Sequence, residues 1–146
     1  ALEEIKKHKP SEIYAVEISE EFRTGLQSRF KGENITIIGN DASDLAGIIP
    51  DKTVNKILLI NVIYFLDPLD TYLEEFKRML KTDGIIFIAG KFGSVGGFDP
   101  KIFKNTDLER LIPILEKYFS VSSKYVDLGE ERSQYQAIQL TNRVGE

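Results

Sequence analysis

The feature that most constrains the fold is a short apolar run that ends on a carboxylate. Residues 13–16 read Ile-Tyr-Ala-Val, and Glu17 follows them directly. A run of this length and composition predicts a strand buried on both faces, as in a parallel sheet. Ser19 is a typical helix N-cap, and the two glutamates after it suit the positive end of a helix. A strand, a short connection and a helix are therefore predicted here.

Two interpretations of Glu17 are open on this stretch alone. In doubly wound folds, an acidic residue at the carboxyl end of such a strand often holds a ribose through its hydroxyl groups. The alternative is that Glu17 is a solvated strand end, or a second carboxylate that caps the next helix.

Patterns typical of helices and strands alternate along the whole chain. Helices are predicted over about 1–9, 20–30, 69–80 and 107–119, and strands over 12–17, 35–39, 54–62, 85–89, 121–128 and 135–141. This order predicts an α/β sandwich with a mostly parallel sheet, in one domain over 1–146. The short connection between the last two strands predicts an antiparallel hairpin.

Some local features are also predicted. The second helix places one apolar face at Phe22, Leu26 and Phe30, and in the third helix Glu74 and Arg78 have the spacing of an ion pair. Residues 81–84, Lys-Thr-Asp-Gly, predict a tight turn, and the glycine-dense stretch 90–100 predicts a loop that contacts substrate.

Composition excludes several kinds of chemistry. There is no cysteine, and His8 is the only histidine, so a thiolate site, a histidine-based triad and a multi-histidine metal site are not expected. The net charge of −4 gives no basic footprint, so nucleic-acid binding is not expected, but a small local patch would not show in the total charge. No apolar run approaches the roughly 20 residues of a membrane span. A cytoplasmic protein that binds no metal is the expectation.

Four stretches in this order resemble the class I S-adenosylmethionine-dependent methyltransferases, especially the small-molecule branch. They are Val16-Glu17-Ile18-Ser19, Gly39-Asn40-Asp41-Ala42, residues 61–68 (Asn-Val-Ile-Tyr-Phe-Leu-Asp-Pro) and residues 80–87 (Leu-Lys-Thr-Asp-Gly-Ile-Ile-Phe). The resemblance covers nearly the whole chain. It implies a Rossmann-like methyltransferase sandwich with S-adenosylmethionine as cofactor and a small molecule as methyl acceptor.

The resemblance also implies which residues hold the cofactor. Glu17, with Ile18 beside it, matches the strand end that holds the ribose, and Asp41 and Ala42 match the turn that meets the adenine. Asn61 begins the segment that passes beside the sulfonium. For Asp41 an Asx-turn role is weighed equally, and for Asn61 a capped strand end is favoured slightly over catalysis.

A methyl group on a sulfonium is already activated, so the protein mainly has to orient donor and acceptor and exclude water. A chain without cysteine can do this. Tyr64, Asp67 and Lys91 are candidates for a general base by position only. Tyr64, Phe65 and Phe92 fit better as core or pocket wall.

One departure from the family is large. The family's first strand and its Gly-x-Gly loop, which lie at the centre of the sheet, have no counterpart before Ile13. Three explanations are open. The native protein is longer, which is the preferred explanation; or a partner, or a second copy in a homodimer, supplies the strand; or the domain is degenerate and no longer binds cofactor. A non-catalytic binding module with this fold is therefore the alternative function, and a nicotinamide-dependent dehydrogenase is a third.

Overall fold

The strands form two sheets in the computed structural model of the chain, which describes residues 1–145. By its contacts the chain divides into two compact units, residues 1–45 and 46–146, with one sheet in each. The α/β fold predicted from the sequence, without its central first strand, agrees with this architecture. The single domain predicted over 1–146 stays a prediction.

The first unit contains two helices and two parallel strands: α1 (Leu2–Lys7), β1 (Ile13–Val16), α2 (Glu20–Arg29) and β2 (Ile35–Ile38). The register of β1 against β2 runs from Ile13 opposite Ile35 to Val16 opposite Ile38. The predicted N-cap of α2 is confirmed, since Ser19 Oγ accepts a hydrogen bond from the N–H of Phe22 at 3.4 Å.

Two burial predictions in this unit are wrong. In β1 Ile13 is buried, the next two residues are half-buried and Val16 is exposed, so the strand is not buried on both faces. On α2, Phe30 is buried as predicted, but the side chain of Phe22 is 66% exposed. Helical spacing locates an apolar face without showing that the chain covers all of it.

The second unit is built on four strands in the order β3-β4-β6-β5. Its elements are β3 (Val54–Ile60), a 3₁₀ turn (Ile63–Phe65), α3 (Leu69–Met79), β4 (Leu80–Gly90), α4 (Phe92–Val95), α5 (Leu108–Glu116), β5 (Ser120–Val126) and β6 (Tyr135–Thr141). Strands β3 and β4 are parallel. Strand β6 is antiparallel to both β4 and β5, which confirms the C-terminal hairpin.

Alternating side chains of β4 and β6 form the core of this unit together with α3 and α5. The side chains that are almost completely buried include Leu73, Phe76, Ile86, Ile88, Leu111, Leu115, Phe119, Ile138 and Leu140. Helix α5 begins where Asp107 Oδ1 accepts a hydrogen bond from the N–H of Glu109 at 3.0 Å. Pro113 lies inside this helix, as expected.

The tight turn predicted over 81–84 is wrong. Strand β4 already begins at Leu80, which pairs with Val54, and the register then shifts so that Lys56 pairs with Ile85. The extra residues of β4 therefore form an irregular extended segment. The Asn142 side-chain amide, just after β6, donates to the carbonyls of Lys81 and Thr82 at 3.2 Å each.

The predicted pairing of Arg78 with Glu74 is also replaced by another arrangement. The Arg78 guanidinium binds the carboxylate of Glu75, and its Nη1 contacts Asp51 Oδ1 at 2.7 Å and the carbonyl of Ile49 at 2.9 Å. Glu75 is buried, whereas Glu74 faces outward. Arg78 thus fastens α3 to the segment that precedes β3.

Candidate functional site

Glu17 lies at the turn between β1 and α2. Its Oε1 accepts a hydrogen bond from the N–H of Ser19 at 3.0 Å, and its own N–H donates to the carbonyl of Ile38 at 2.9 Å. Within residues 1–145 no other hydrogen bond reaches the carboxylate, so Oε2 has its acceptor capacity available. The side chain of Ile18 beside it is exposed. One oxygen therefore caps the turn, as in the second interpretation of Glu17, and the ribose role of the other oxygen stays a prediction.

Arg23, which the sequence analysis did not single out, braces this turn. Its Nη1 donates to the carbonyls of Glu17 at 3.0 Å and Ile18 at 2.8 Å. A Cβ at Gly39 would lie 2.9 Å from the guanidinium carbon of Arg23, so glycine at 39 leaves room for the arginine. The turn that carries Glu17 is thus held from within the first unit.

Asp41 and Ala42 follow β2, at the same carboxyl edge of the parallel pair as Glu17. Asp41 Oδ1 accepts hydrogen bonds from the N–H of Ser43 at 2.9 Å and from its hydroxyl at 2.7 Å. This is the Asx-turn arrangement that the sequence analysis weighed equally with adenine contact. Asp41 is exposed, and the turn presents the backbone around Ala42 at the edge of the unit.

A cavity of about 860 Å³ lies within the second unit, at the carboxyl ends of β3 and β4. The polar part of its wall comes from Asn61, Tyr64, Lys91, Ser94, Arg132, Gln134 and Gln136, and the apolar part includes Phe65, Phe92, Phe98, Phe103, Tyr125 and Tyr135. Strand β6 pairs with β4 so that Gly90 lies opposite Gln136. The start of β6 and the hairpin connection therefore reach the same edge as the glycine-rich segment.

Tyr64 is the central buried residue of this wall. Its hydroxyl oxygen accepts a hydrogen bond from the N–H of Lys91 at 2.6 Å, and its O–H donates to Asn61 Oδ1 at 3.4 Å. Burial raises the pKa of the Tyr64 phenol, although the hydrogen bond from the Lys91 N–H acts in the opposite direction. The phenol is therefore protonated near neutral pH and orients its neighbours, which argues against Tyr64 as a base.

Asn61 ends β3 in a left-handed conformation, with φ of +55°. Its N–H donates to the carbonyl of Ala89 at 2.8 Å, so the backbone at the end of β3 remains tied to β4. The segment after it is held by Asn105, whose side-chain amide donates to the carbonyls of Ile63 and Leu66 at 2.8 Å each. Asn61 thus caps the end of the strand and also lines the cavity.

The other two base candidates are separated by the structure. Asp67 is exposed and does not line the cavity. Lys91 lines it, and its ammonium donates to the backbone carbonyl of Arg132. Of the five cofactor residues predicted from sequence, Glu17, Ile18, Asp41 and Ala42 belong to the first unit and Asn61 to the second.

Several residues of the cavity wall were missed by the sequence analysis, notably Arg132, Gln134 and Phe103. The sequence signal for these residues was indirect. The second strand of the C-terminal hairpin pairs with β4, so the connection between the two hairpin strands lies at the carboxyl end of β4. The segment of residues 129–133 was interpreted only as a polar connection between two strands. Asn105, in a polar stretch before the cap of α5, gave no specific signal.

The comparisons with known proteins identify the family. A family model described as a methyltransferase domain matches residues 1–88, more than half of the chain. The chain therefore belongs to the methyltransferase-domain family, and the class I S-adenosylmethionine-dependent assignment, with that cofactor, is confirmed. No match to this chain is found among curated proteins.

Solved structures share the fold. A SAM-dependent methyltransferase from Archaeoglobus fulgidus is 21% identical, with a TM-score of 0.68, over 95% of this chain and 80% of that one. The N-methyltransferase NodS from Bradyrhizobium japonicum WM9, in complex with S-adenosyl-L-homocysteine, is 12% identical, with a TM-score of 0.71, over 94% of this chain and 71% of that one. The [4+2]-cyclase SpnF is 14% identical, with a TM-score of 0.73, over 99% of this chain and 71% of that one.

None of the helices within residues 1–145 has the length and apolar character needed to span a bilayer. No group of three or more histidine, aspartate or glutamate side chains in this part of the chain is placed to hold a metal ion.

Proposed function

We propose that this methyltransferase modifies a small-molecule acceptor, which binds in the cavity of the second unit. The observation that carries the proposal is the cavity itself. Its volume of about 860 Å³ lies within the range of roughly 300–1,000 Å³ that is typical of small-molecule sites. Seven of its 17 lining residues are aromatic, and a few polar groups can fix the orientation of a ligand.

The residues of the first unit fit the nucleoside part of S-adenosylmethionine. A ribose offers two hydroxyl donors, and Glu17 has an oxygen that makes no hydrogen bond within residues 1–145. Ile18 offers exposed apolar surface next to it, and the turn at Asp41 and Ala42 offers backbone and carboxylate groups to an adenine. We assign these four residues to cofactor binding, and the role of Asn61, which belongs to the second unit, stays a prediction from the sequence.

When bound, S-adenosylmethionine supplies a methyl carbon that forms a bond with an acceptor lone pair as its bond to sulfur breaks. The protein's contribution is to hold the acceptor in one orientation and keep water away. Tyr64 and Asn61 fix the cavity wall after β3, and Lys91 fixes the wall after β4. Acceptor deprotonation is assigned to no side chain, because the Tyr64 phenol is protonated, Asp67 lies outside the cavity and the Lys91 ammonium is a donor to the Arg132 carbonyl.

The alternative is a non-catalytic methyltransferase-like binding module that has lost cofactor binding. SpnF, a [4+2]-cyclase, has the same fold, so the fold alone does not determine the reaction. The Ser43 contacts of Asp41 also fit a purely structural turn. Cofactor binding distinguishes this alternative from the enzyme.

A homodimer or a strand-donating partner is part of the proposal, as is a cytoplasmic location. Support for a partner comes from β3, which is an edge strand of the four-stranded sheet and exposes Leu58 and Ile60. Exposed apolar edge strands readily pair with another strand. Light scattering after size-exclusion chromatography gives the mass; a strictly monomeric chain at high concentration would exclude the homodimer.

The function is tested in two steps. Calorimetric titration with S-adenosylmethionine and S-adenosylhomocysteine should give roughly one-to-one binding to the folded chain. Methyl-labelled cofactor is then incubated with cell extract divided by ultrafiltration into small molecules and macromolecules. Label that requires the protein and appears only among small molecules supports the proposal. Label confined to macromolecules would overturn the acceptor assignment, and absence of cofactor binding by the folded chain would favour the non-catalytic module.

A further inference from the structure

The charged residues of the cavity wall are all positively charged. Lys91 and Arg132 line the cavity, and no aspartate or glutamate is among the described residues that do so. This is notable in a chain with 23 acidic and 19 basic residues. Glu130 and Glu131 precede Arg132 in the hairpin connection, but neither lines the cavity.

Lys91 and Arg132 are joined by one hydrogen bond to the backbone, and both cationic groups retain donors for a ligand. The Lys91 ammonium donates to the backbone carbonyl of Arg132, which leaves two of its three N–H donors for other partners. Arg132 has a left-handed backbone conformation, with φ of +61°, and its guanidinium makes no ion pair or hydrogen bond within residues 1–145. A planar guanidinium is suited to bidentate binding of a carboxylate or a similar oxyanion.

The apolar part of the wall is suited to a flat ring. The Phe103 ring lies 5.2 Å from that of Phe65 and 5.1 Å from that of Phe98, measured between ring centroids. Phe65 is 51% exposed and Phe98 is 52% exposed, so both present ring surface that this chain does not cover. Aromatic rings pack favourably in tilted or offset arrangements against such surfaces.

From these two halves of the wall we propose that the acceptor is an apolar, aromatic small molecule that carries an anionic group. Its ring packs against Phe65, Phe98 and Phe103, and its oxyanion binds Arg132 and Lys91. This inference rests on the proposed function, because it describes the acceptor of the same cavity. The shared chemistry of the ligand is a flat ring with an oxyanion, which a carboxylate, a sulfonate or a phosphate ester can supply.

A pair of fluorescent probes tests the inference without methyl transfer. 1-Anilinonaphthalene-8-sulfonate and N-phenyl-1-naphthylamine share one ring system and differ by the sulfonate. The anionic probe should bind the wild-type chain about tenfold more tightly than the neutral one. Arg132→Gln should remove most of this preference while leaving the neutral probe unchanged. Phe98→Ala should weaken both probes.

Lys124→Gln is the matched control, because it removes one positive charge next to Tyr125 in β5 without touching the cavity wall. It should leave both affinities unchanged. Equal binding of the two probes, or an unchanged preference in Arg132→Gln, would overturn the inference. Displacement of the sulfonate by S-adenosylhomocysteine would assign the cations to the cofactor and overturn it as well. Failure of the proposed function is a separate result, because it is seen as the absence of S-adenosylmethionine binding in the calorimetric titration.

Discussion

The hydroxyl oxygen of Tyr64 accepts a hydrogen bond from the backbone N–H of Lys91 at 2.6 Å. This bond joins the segment after β3 to the segment after β4, at the edge where the cavity opens. The tyrosine is buried and also donates to Asn61, so one side chain positions both neighbours. The shape of the cavity therefore depends on this contact.

Replacing Tyr64 by phenylalanine should destabilise the protein by about 1–3 kcal/mol, because the Lys91 N–H loses its acceptor in a partly buried place. The free energy of unfolding in urea, followed by circular dichroism, measures the change. Tyr125→Phe is the control, since that hydroxyl makes no hydrogen bond within residues 1–145. An unchanged free energy in Tyr64→Phe would show that water replaces the hydroxyl without cost.

Glycine at position 90 is required by the same contact. A Cβ there would lie 2.4 Å from the hydroxyl oxygen of Tyr64 and 2.9 Å from the ring of Phe92. Gly90→Ala should therefore cost about 1–3 kcal/mol through overpacking. Gly93→Ala, in the neighbouring helix, meets no atom within 4 Å and should be neutral or slightly stabilising.

A double-mutant cycle sharpens the test of this crowding. Removing the hydroxyl in Tyr64→Phe also removes the nearest atom to the new methyl group, so Gly90→Ala should cost less in that background than in the wild type. Additive effects would show that the backbone shifts instead, with Phe92 as the remaining obstacle.

Tyr118 gives a prediction about alkaline pH. Its hydroxyl donates to Asp70 Oδ1 at 2.8 Å, and this hydrogen bond is the main reason why the pKa of Tyr118 is raised to about 12. The folded state holds this proton more tightly than the unfolded state, in which the pKa is about 10. The resulting stabilisation is complete below pH 10 and is lost as the pH rises to about 12.

The measurement for Tyr118 compares the free energy of unfolding of wild type and Tyr118→Phe between pH 8 and pH 12. The difference between the two proteins should be constant up to about pH 10 and then decrease. A difference that remains constant to pH 12 would contradict the hydrogen bond to Asp70 as the cause.

The ion pairs of Arg78 predict a stability effect far from the cavity. Arg78→Gln removes the guanidinium that binds buried Glu75 and exposed Asp51, which leaves a buried carboxylate without its cation. We expect a loss of about 1.5–3 kcal/mol in the free energy of unfolding by urea. Arg110→Gln is the control, because its contact with Asp107 at 3.6 Å is exposed and should contribute little. Equal effects of the two substitutions would exclude the buried pair as the cause.

Local patterns in the sequence predicted most elements of the fold, because each depends on neighbouring residues. The run from Ile13 to Val16, the cap at Ser19 and the terminal hairpin all follow from residue spacing and helix-end chemistry. The start of β4 at Leu80 did not follow, because pairing with Val54 and the hydrogen bonds from Asn142 override the turn tendency of residues 81–84.

The cavity wall could be predicted only in part, because it depends on the order of strands in the sheet. Tyr64 and Lys91 follow predicted strands and were identified by position. Arg132 reaches them only because β6 inserts between β4 and β5, and nothing in the local sequence specifies that order. Arg23 likewise contacts the Glu17 turn through a long side chain. Residue spacing does not show the direction in which such a side chain extends.

Glu17 gives the most direct test of cofactor binding. Glu17→Gln keeps an oxygen that can accept the hydrogen bond from the Ser19 N–H, so the turn should remain folded while the negative charge is lost. If the other oxygen binds the ribose hydroxyls, affinity for S-adenosylhomocysteine should decrease by about 1.5–3 kcal/mol. Calorimetry measures the affinity, and circular dichroism checks the fold. Glu21→Gln, the same charge change in the first turn of α2, is the control. An unchanged affinity in folded Glu17→Gln would refute the ribose role, because it would show that the carboxylate makes no specific contact with the cofactor. An equal loss of affinity in both variants would also refute it, because net charge alone would then explain the effect.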